Sequence, residues 1–150
     1  MKKIFFIFIF LFSNSLFGLE DKVYSSFFGG AIDGYDPVAY FEEGKAVKGS
    51  SQYSYQYLGA KWKFSKQEHQ QLFIQNPELY LPQYGGYCAF AMSDNRFVSI
   101  DGEAWYIEEG KLYLNYNKSV QGYWLENKNE LIQQAHMHWE NYWSSLRNKH

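Results

Sequence analysis

Alternating apolar and polar residues predict two β-hairpins in this chain. In residues 52–58, tyrosines alternate with polar side chains, and residues 61–65 alternate again. Gly59 lies between the two runs and supplies a turn. Residues 105–107 and 112–116 repeat the arrangement across a short polar, glycine-containing connection. Each pair of runs is typical of two antiparallel strands joined by a tight turn.

Two other segments have a helical pattern. Ser65 followed by Glu68 forms a capping box, which predicts a helix over about residues 66–75. Pro77 ends that helix and opens a further short helical turn. Near the C-terminus, apolar residues recur at steps of three and four, as in an amphipathic helix. These residues are Leu131, Ile132, Ala135, Trp139, Tyr142, Trp143 and Leu146.

The remaining segments are shorter and less regular. Residues 38–41 follow a cluster of turn residues and predict a short strand, and residues 96–100 predict another. Residues 82–89 contain two glycines and predict a loop. Because hairpins come first and helices last, without strand–helix alternation, we expect an α+β fold. It is a small compact domain of short antiparallel hairpins with a mid-chain helix and a C-terminal amphipathic helix.

The N-terminus is typical of a signal peptide. Lys2 and Lys3 precede an unbroken apolar run over residues 4–12, which is too short to cross a bilayer as a helix. Small residues follow, so cleavage after Ser15 or Gly18 is expected. An uncleaved anchor is the alternative. The signal predicts a periplasmic or secreted protein, without a transmembrane span once the signal has been removed.

Length and charge reduce the number of possible functions. A chain of 150 residues is the length of one domain. We assign residues 1–18 to the signal peptide, residues 19–30 to a loose lead-in and residues 31–146 to the folded domain. Without the two lysines of the signal, 12 basic residues face 16 acidic ones, a net charge of −4. This balance excludes nucleic acid as a partner. The 21% of aromatic residues is therefore interpreted as a core with an aromatic-lined pocket.

Cys88 is the only cysteine, so an intramolecular disulfide is impossible. It can be a buried inert thiol, an intermolecular partner, a metal ligand or a reactive thiolate. Gly85 and Gly86 let backbone amides converge near it, and a helix beginning at Ala89 lowers a thiol pKa. Equally, the thiol can pack in the core beside Tyr87, with the glycines serving only the turn.

The histidines and acids give weaker signals. His136 and His138 are about 200° apart around a helix and cannot chelate one ion together, so both are expected at the surface. His69 is expected at the surface as well. Asp36 is the acid with the best claim to a role, although an Asx-type turn is the commoner use of such a residue. Motifs of hydrolases, zinc proteins and phosphate-binding loops are missing from the sequence.

Four runs resemble the exported single-domain subfamily of YHS-domain proteins, some members of which are selenoproteins. They are IDGYDPVAYF at 32–41, GKAVKG at 44–49, PQYGGYCA at 82–89 and LYLNYN at 112–117. The resemblance extends over about residues 31–143 and implies a compact α+β fold.

The resemblance also gives Cys88 a role. Ala39 stands where the metal-linked YHS domains carry a cysteine, and residues 62–65 contain none either, so that metal-binding cysteine set is missing. The exported subfamily places cysteine or selenocysteine at the position of Cys88. The resemblance therefore implies that Cys88 is functional.

Our first hypothesis is a metal-handling or thiol-redox module of the cell envelope, centred on Cys88. The expected pocket around this catalytic or ligating thiol consists of Tyr35, Asp36, Gly85, Gly86 and Tyr87. Copper or zinc would be held by Cys88 with help from His69 and Met92, or by two Cys88 thiolates in a dimer.

Two further hypotheses remain open. One is a non-catalytic binding module whose aromatic-lined pocket recognises a small ligand or an envelope protein. The other is an enzyme with Cys88 as nucleophile, which needs a histidine brought close by folding, for example His136.

Overall fold

The computed structural model describes residues 22–148, and the signal-peptide assignment lies outside them. Ten helices and strands follow one another in this part of the chain. They are β1 (Ser25–Ser26), β2 (Gly30–Ala31), α1 (Pro37–Glu42), β3 (Ser50–Tyr57), β4 (Ala60–Phe64), α2 (Gln67–Gln75), α3 (Ala89–Ser93), β5 (Asp101–Glu108), β6 (Lys111–Asn115) and α4 (Lys118–Arg147). Short 3₁₀ turns lie at Ile32–Gly34, Pro77–Leu79 and Gln83–Gly86. The fold is α+β, as predicted.

Three antiparallel hairpins supply the strands. β1 pairs with β2, β3 with β4 and β5 with β6. Tyr55 lies opposite Trp62 in the β3–β4 hairpin, and Trp105 lies opposite Leu114 in the β5–β6 hairpin. The register of both longer hairpins shifts near the start of the first strand. The two hairpins expected from the alternating pattern are confirmed.

The aromatic residues fill two adjoining cores. In the first core, Trp62 and Phe64 of β4 pack against Phe73 of α2, with ring centroids 5.3 Å and 5.2 Å apart. In the second core, Trp124 of α4 packs against Tyr113 of β6 at 5.1 Å. All five rings are buried. Aromatic burial of this extent is the main source of stability in such a small domain.

α4 is longer than the apolar pattern of residues 131–146 suggests. It begins after Asn117, whose side chain accepts a hydrogen bond from the Val120 amide, and it runs for 30 residues. Trp124 and Ala135 are its buried apolar anchors. Within residues 22–148, no helix is both long and apolar enough to span a membrane.

The strand expected over residues 38–41 is wrong, because this segment belongs to helix α1. The buried Asp36 side chain accepts hydrogen bonds from the amides of Val38 and Ala39, which caps the helix. Pro37 occupies the first helical position, where its missing N–H costs nothing. Capping therefore overrides the strand propensity of an apolar, aromatic segment.

Three more local expectations are corrected. Residues 96–100 form no strand, although the Val98 carbonyl accepts a hydrogen bond from the Cys88 amide. Lys66 occupies the N-cap of α2, because the Ser65 hydroxyl that was expected to cap this helix binds Asp36 instead. The described part of the lead-in, residues 22–30, is not loose: it forms the β1–β2 hairpin and buries Val23 in the core.

Candidate functional site

The glycine loop has an unusual backbone. Tyr84, Gly85 and Gly86 all have positive φ, at 57°, 62° and 85°. Gly85 packs against the backbone carbonyl of Lys22 and Gly86 packs against the Ile32 side chain, each so closely that a Cβ atom would collide. Only glycine fits these two positions, whereas Tyr84 takes up a conformation that is strained for its residue type.

A second strained segment lies against this loop. Ile32 and Asp33 have φ of 44° and 55°, and a β-branched residue rarely adopts such a value. Tyr24 joins the two segments, since its amide donates to the Gly85 carbonyl and its carbonyl accepts from the Ile32 amide, both at 2.9 Å. Residues 32–41 and 82–89 therefore meet through Tyr24 and the Ile32–Gly86 contact.

The glycine loop forms one wall of an open cleft of about 320 Å³. Its aromatic lining consists of Tyr84, Trp139 and Trp143, with ring centroids of neighbouring pairs 6.4 Å and 5.9 Å apart. Lys22 and Glu78 supply the charged groups of the lining. The other lining residues are Val23, Leu58, Leu81, Pro82, Gln83 and Gly85.

The cleft has a fixed electrostatic pattern. The Lys22 ammonium lies 4.7 Å from the ring centroid of Trp143, a cation–π contact. Glu78 accepts a hydrogen bond from the Tyr57 hydroxyl at 3.2 Å. Burial, with a smaller contribution from Tyr113, raises the pKa of Tyr84, so its phenol is neutral at physiological pH. The positive charge of Lys22 thus lies directly beside the aromatic wall of the cleft.

Asp36 is fully buried and lies at the centre of a different cluster. One carboxylate oxygen accepts from the Val38 and Ala39 amides, at 2.9 Å and 3.2 Å. The other accepts from the Ser65 amide and hydroxyl, at 2.8 Å and 2.7 Å, and lies 2.6 Å from His69 Nδ1. The cluster therefore ties α1, the end of β4 and α2 to one carboxylate. Asp36 does cap the backbone turn that follows it, as an Asx-type residue is expected to do. It also binds Ser65 and His69, which lie about 30 residues later in the chain.

His69 is buried, so the expectation of a surface histidine is wrong. Its Nδ1 faces Asp36 and its Nε2 lies 3.6 Å from Glu43, so each ring nitrogen faces a carboxylate. Glu43 also pairs with Lys66, and the hydrogen bond from that ammonium lowers the Glu43 pKa. The missed signal is the position of His69 four residues before Phe73, on the apolar face of α2.

Cys88 is a buried thiol at the N-terminal end of α3. Burial raises its pKa, and hydrogen bonds from the backbone amides of Ala91, Tyr116 and Phe90 only partly oppose this rise. The lowered pKa expected from the glycine loop and the helix end is therefore wrong in direction. The amides are present as predicted, but loss of water outweighs them.

Asn115 is the polar neighbour of Cys88 that sequence reasoning missed. It is fully buried, and its Oδ1 accepts from the Phe90 amide at 3.1 Å and lies 3.6 Å from Cys88 Sγ. Its Nδ2 has no hydrogen-bond partner within residues 22–148. The sequence signal that could have identified Asn115 is its position at the end of the apolar run of β6, because buried strand ends seldom carry an amide side chain.

The other predicted pocket residues have separate surroundings. Tyr35 packs on Gly102 and carries the Lys48 ammonium above its ring. Tyr87 packs against Tyr24 and Phe97. Of the five predicted pocket residues, only Gly85 lines the cleft. The cleft depends instead on Lys22, Tyr84, Trp139 and Trp143, which come from opposite ends of the chain.

The proposed metal ligands do not form a recognisable set. Met92 belongs to the second core, His69 faces two carboxylates and Cys88 adjoins Asn115. In the part of the chain that the structure describes, no three His, Cys, Asp or Glu side chains are grouped to hold a metal ion. These donors do not fit a mononuclear copper or zinc site.

His136, the base considered for a Cys88 nucleophile, is half-buried on α4. Its ring lies 5.5 Å from that of Tyr84, and burial lowers its pKa, with a smaller contribution from Lys111. His138 is also half-buried. The His136 ring thus lies against Tyr84, on the aromatic side of the glycine loop.

We predict that Asp36→Asn destabilises the protein by about 2–4 kcal/mol, because an amide loses the charge-assisted hydrogen bonds of a buried carboxylate. Urea unfolding followed by circular dichroism measures the change. Asp101→Asn is the matched control: Asp101 is half-buried and accepts from the Glu103 amide. A loss of stability no larger than that of the control would show that Asp36 does not hold these elements together.

We predict that iodoacetamide alkylates native Cys88 at least about 100-fold more slowly than the unfolded chain at neutral pH. A raised pKa leaves less thiolate at that pH, so the native rate goes on rising with pH above the range in which the rate of the unfolded thiol levels off. Mass spectrometry follows the adduct in native buffer and in urea. Rapid native labelling with a midpoint below the ordinary thiol value of about 8.5 would contradict the buried, protonated thiol.

Three comparisons with known proteins found no relative of this chain. No family model matches the chain, and no curated protein or solved structure matches it.

Proposed function

We propose that this protein is a non-catalytic binding module whose cleft takes a small molecule with a planar, apolar part. The observation that carries this proposal is the left-handed backbone of Tyr84. It places a buried aromatic residue in the cleft wall at an energetic cost of about 1–2 kcal/mol. Strain of this kind is concentrated at ligand-binding and active sites.

The size and lining of the cleft support the same proposal. A volume of about 320 Å³ is at the lower end of the range for small-molecule sites. Trp139 and Trp143, backed by the buried Tyr84 ring, present aromatic surface on which a planar group gains both apolar burial and ring contact. This is the combination of an apolar wall and few polar groups that binding pockets use.

The charged lining residues suggest that the ligand carries an anionic group. Glu78 already accepts a hydrogen bond from Tyr57, whereas the Lys22 ammonium lies over Trp143 at the aromatic wall. A carboxylate or sulfonate attached to a stacked ring would meet this ammonium. We therefore favour a small aromatic acid as the class of ligand.

The probe 1-anilinonaphthalene-8-sulfonate tests this proposal, since it combines fused rings with a sulfonate. We expect saturable binding to the native protein, weakened about tenfold by Trp143→Ala, which removes both the stacking surface and the cation–π contact. Fluorescence titration gives the affinity, and circular dichroism confirms that the variant is folded.

Tyr123→Ala is the matched control, because Tyr123 is an exposed aromatic residue of the same helix outside the cleft. It should leave the affinity unchanged, and Lys22→Gln should weaken binding of the sulfonate more than that of a neutral naphthalene. Equal affinities of the wild type, Trp143→Ala and Tyr123→Ala would place the probe elsewhere and overturn the proposal.

A second candidate function is thiol–disulfide exchange at Cys88. Hydrogen bonds from the backbone amides of Ala91, Tyr116 and Phe90 lower the Cys88 pKa against the larger effect of burial, while the Asn115 Oδ1 beside the sulfur accepts from the thiol. Such donors stabilise a thiolate once water or a partner reaches the sulfur. The buried thiol would then act only when local opening around α3 exposes it.

Glutathione disulfide tests this second candidate. The Cys88 thiolate attacks one sulfur of the disulfide, forms a mixed disulfide and releases one glutathione thiolate. We expect slow formation of one adduct per chain while the native circular dichroism is retained, and none with Cys88→Ser. An adduct that forms only after unfolding in urea would exclude exchange by the folded protein.

A further inference from the structure

Two adjacent phenylalanines project from the tip of the first hairpin. Phe27 is 94% exposed and Phe28 is 90% exposed, and they are the most exposed large apolar side chains of the described chain. Their rings form an edge-to-face pair with centroids 4.8 Å apart. Two paired aromatic rings held in water are a costly feature for a folded domain, which points to a surface that covers them.

The tip is anchored, not a frayed end. Ser26 Oγ accepts a hydrogen bond from the Gly29 amide at 3.1 Å, which closes the turn that carries both rings. Ser26 pairs with Gly30 across the hairpin, and Gly30 packs against the backbone of Lys61 in β4. The rings are therefore presented on a turn that the rest of the domain supports.

Lysines surround the base of this tip. Ala60, Trp62 and Phe64 of β4 face the core, so Lys61 and Lys63 lie on the outer face of the strand. The Lys63 ammonium donates to the Phe28 carbonyl at 3.1 Å.

Lys48 extends the same cationic face. Its ammonium donates to the Asp33 carbonyl at 2.6 Å and lies over the Tyr35 ring. Asp33 is a nearby acid whose carboxylate accepts from the Tyr24 hydroxyl. Asp101 and Glu103 are further acids near the Tyr35 ring. A cationic face next to the tip contrasts with the acidic balance of the whole chain.

We propose that the Phe27–Phe28 tip with Lys48, Lys61 and Lys63 is a membrane-docking surface that inserts its two rings into the interfacial region of a bilayer rich in anionic phospholipid. Aromatic side chains favour the boundary between headgroups and acyl chains, and lysines beside them attract anionic headgroups. The hydrocarbon stems of the lysines lie along the apolar surface while the ammonium groups remain at the phosphates. This surface shares no residue with the cleft, so the proposal is independent of the small-molecule function.

Vesicle co-sedimentation tests the docking surface, with the protein expressed from its complete coding sequence and purified as the cell processes it. We expect binding to vesicles of phosphatidylcholine with phosphatidylglycerol, weaker binding to phosphatidylcholine alone, and weakening by added salt. Phe27→Ser with Phe28→Ser should reduce the affinity at least about tenfold. Leu79→Ser is the matched control, since Leu79 is an exposed apolar residue outside the tip.

A probe at the tip reports insertion even if residues before the domain also bind lipid. Phe27→Cys in a Cys88→Ser background carries an environment-sensitive dye, so that the dye is attached at position 27 alone. The dye should shift its emission to shorter wavelength with anionic vesicles, whereas a dye at Glu126→Cys, an exposed position on α4, should not.

Two results would overturn the proposal. One is an unshifted dye at position 27 with anionic vesicles, whether or not the wild type and the double serine variant bind vesicles equally. The other is concentration-dependent self-association that the double serine variant loses, without vesicle binding by the wild type. That last outcome would assign the tip to a contact between two copies of the chain.

Discussion

The buried carboxylate of Asp36 is the interaction on which the first half of the fold depends. It begins α1, fixes the residue that follows β4, and holds the His69 ring of α2. A carboxylate in the core is costly unless its oxygens are satisfied, and five donors satisfy this one. The same network therefore explains why an apolar segment after Asp36 is helical and why a histidine lies in the core.

A second constraint determines the cleft. Tyr84 and Ile32 occupy left-handed conformations on two segments that Tyr24 joins by backbone hydrogen bonds. Gly85 and Gly86 make the close approach of these segments possible. The left-handed backbone of the glycine loop therefore shapes one wall of the cleft, and Trp139 and Trp143 of α4 complete the aromatic wall.

Local pattern sufficed to predict the two longer hairpins and the existence of the two longer helices, but not the short β1–β2 hairpin. Period-two alternation and a three-to-four-residue apolar repeat act through near neighbours, and those neighbours are visible in the sequence. The prediction of a strand after Pro37 is wrong because the Asp36 carboxylate caps a helix there. The prediction of a Ser65 cap is wrong because the Ser65 hydroxyl binds Asp36, 29 positions earlier. Long-range hydrogen bonds of this kind have no periodic signature.

The candidate site was predicted less well than the fold, for the same reason. Reasoning from the glycine loop surrounded Gly85 with its own sequence neighbours, whereas the cleft that Gly85 lines is built mostly from residues distant in sequence. Lys22, Trp139 and Trp143 come to the cleft from the two ends of the chain, and only tertiary packing brings them together. The direction of the Cys88 pKa was missed because burial, which the sequence does not display, outweighs the nearby amides.

The cation–π contact between Lys22 and Trp143 has a consequence for the order of assembly. The hairpins close by contacts between residues near in sequence, so they form early, whereas the cleft joins the first and last described parts of the chain. Loop closure over such a separation comes late in folding. During synthesis, the cleft therefore cannot exist until α4 has emerged, and it forms only when Lys22 and Trp143 are both in place.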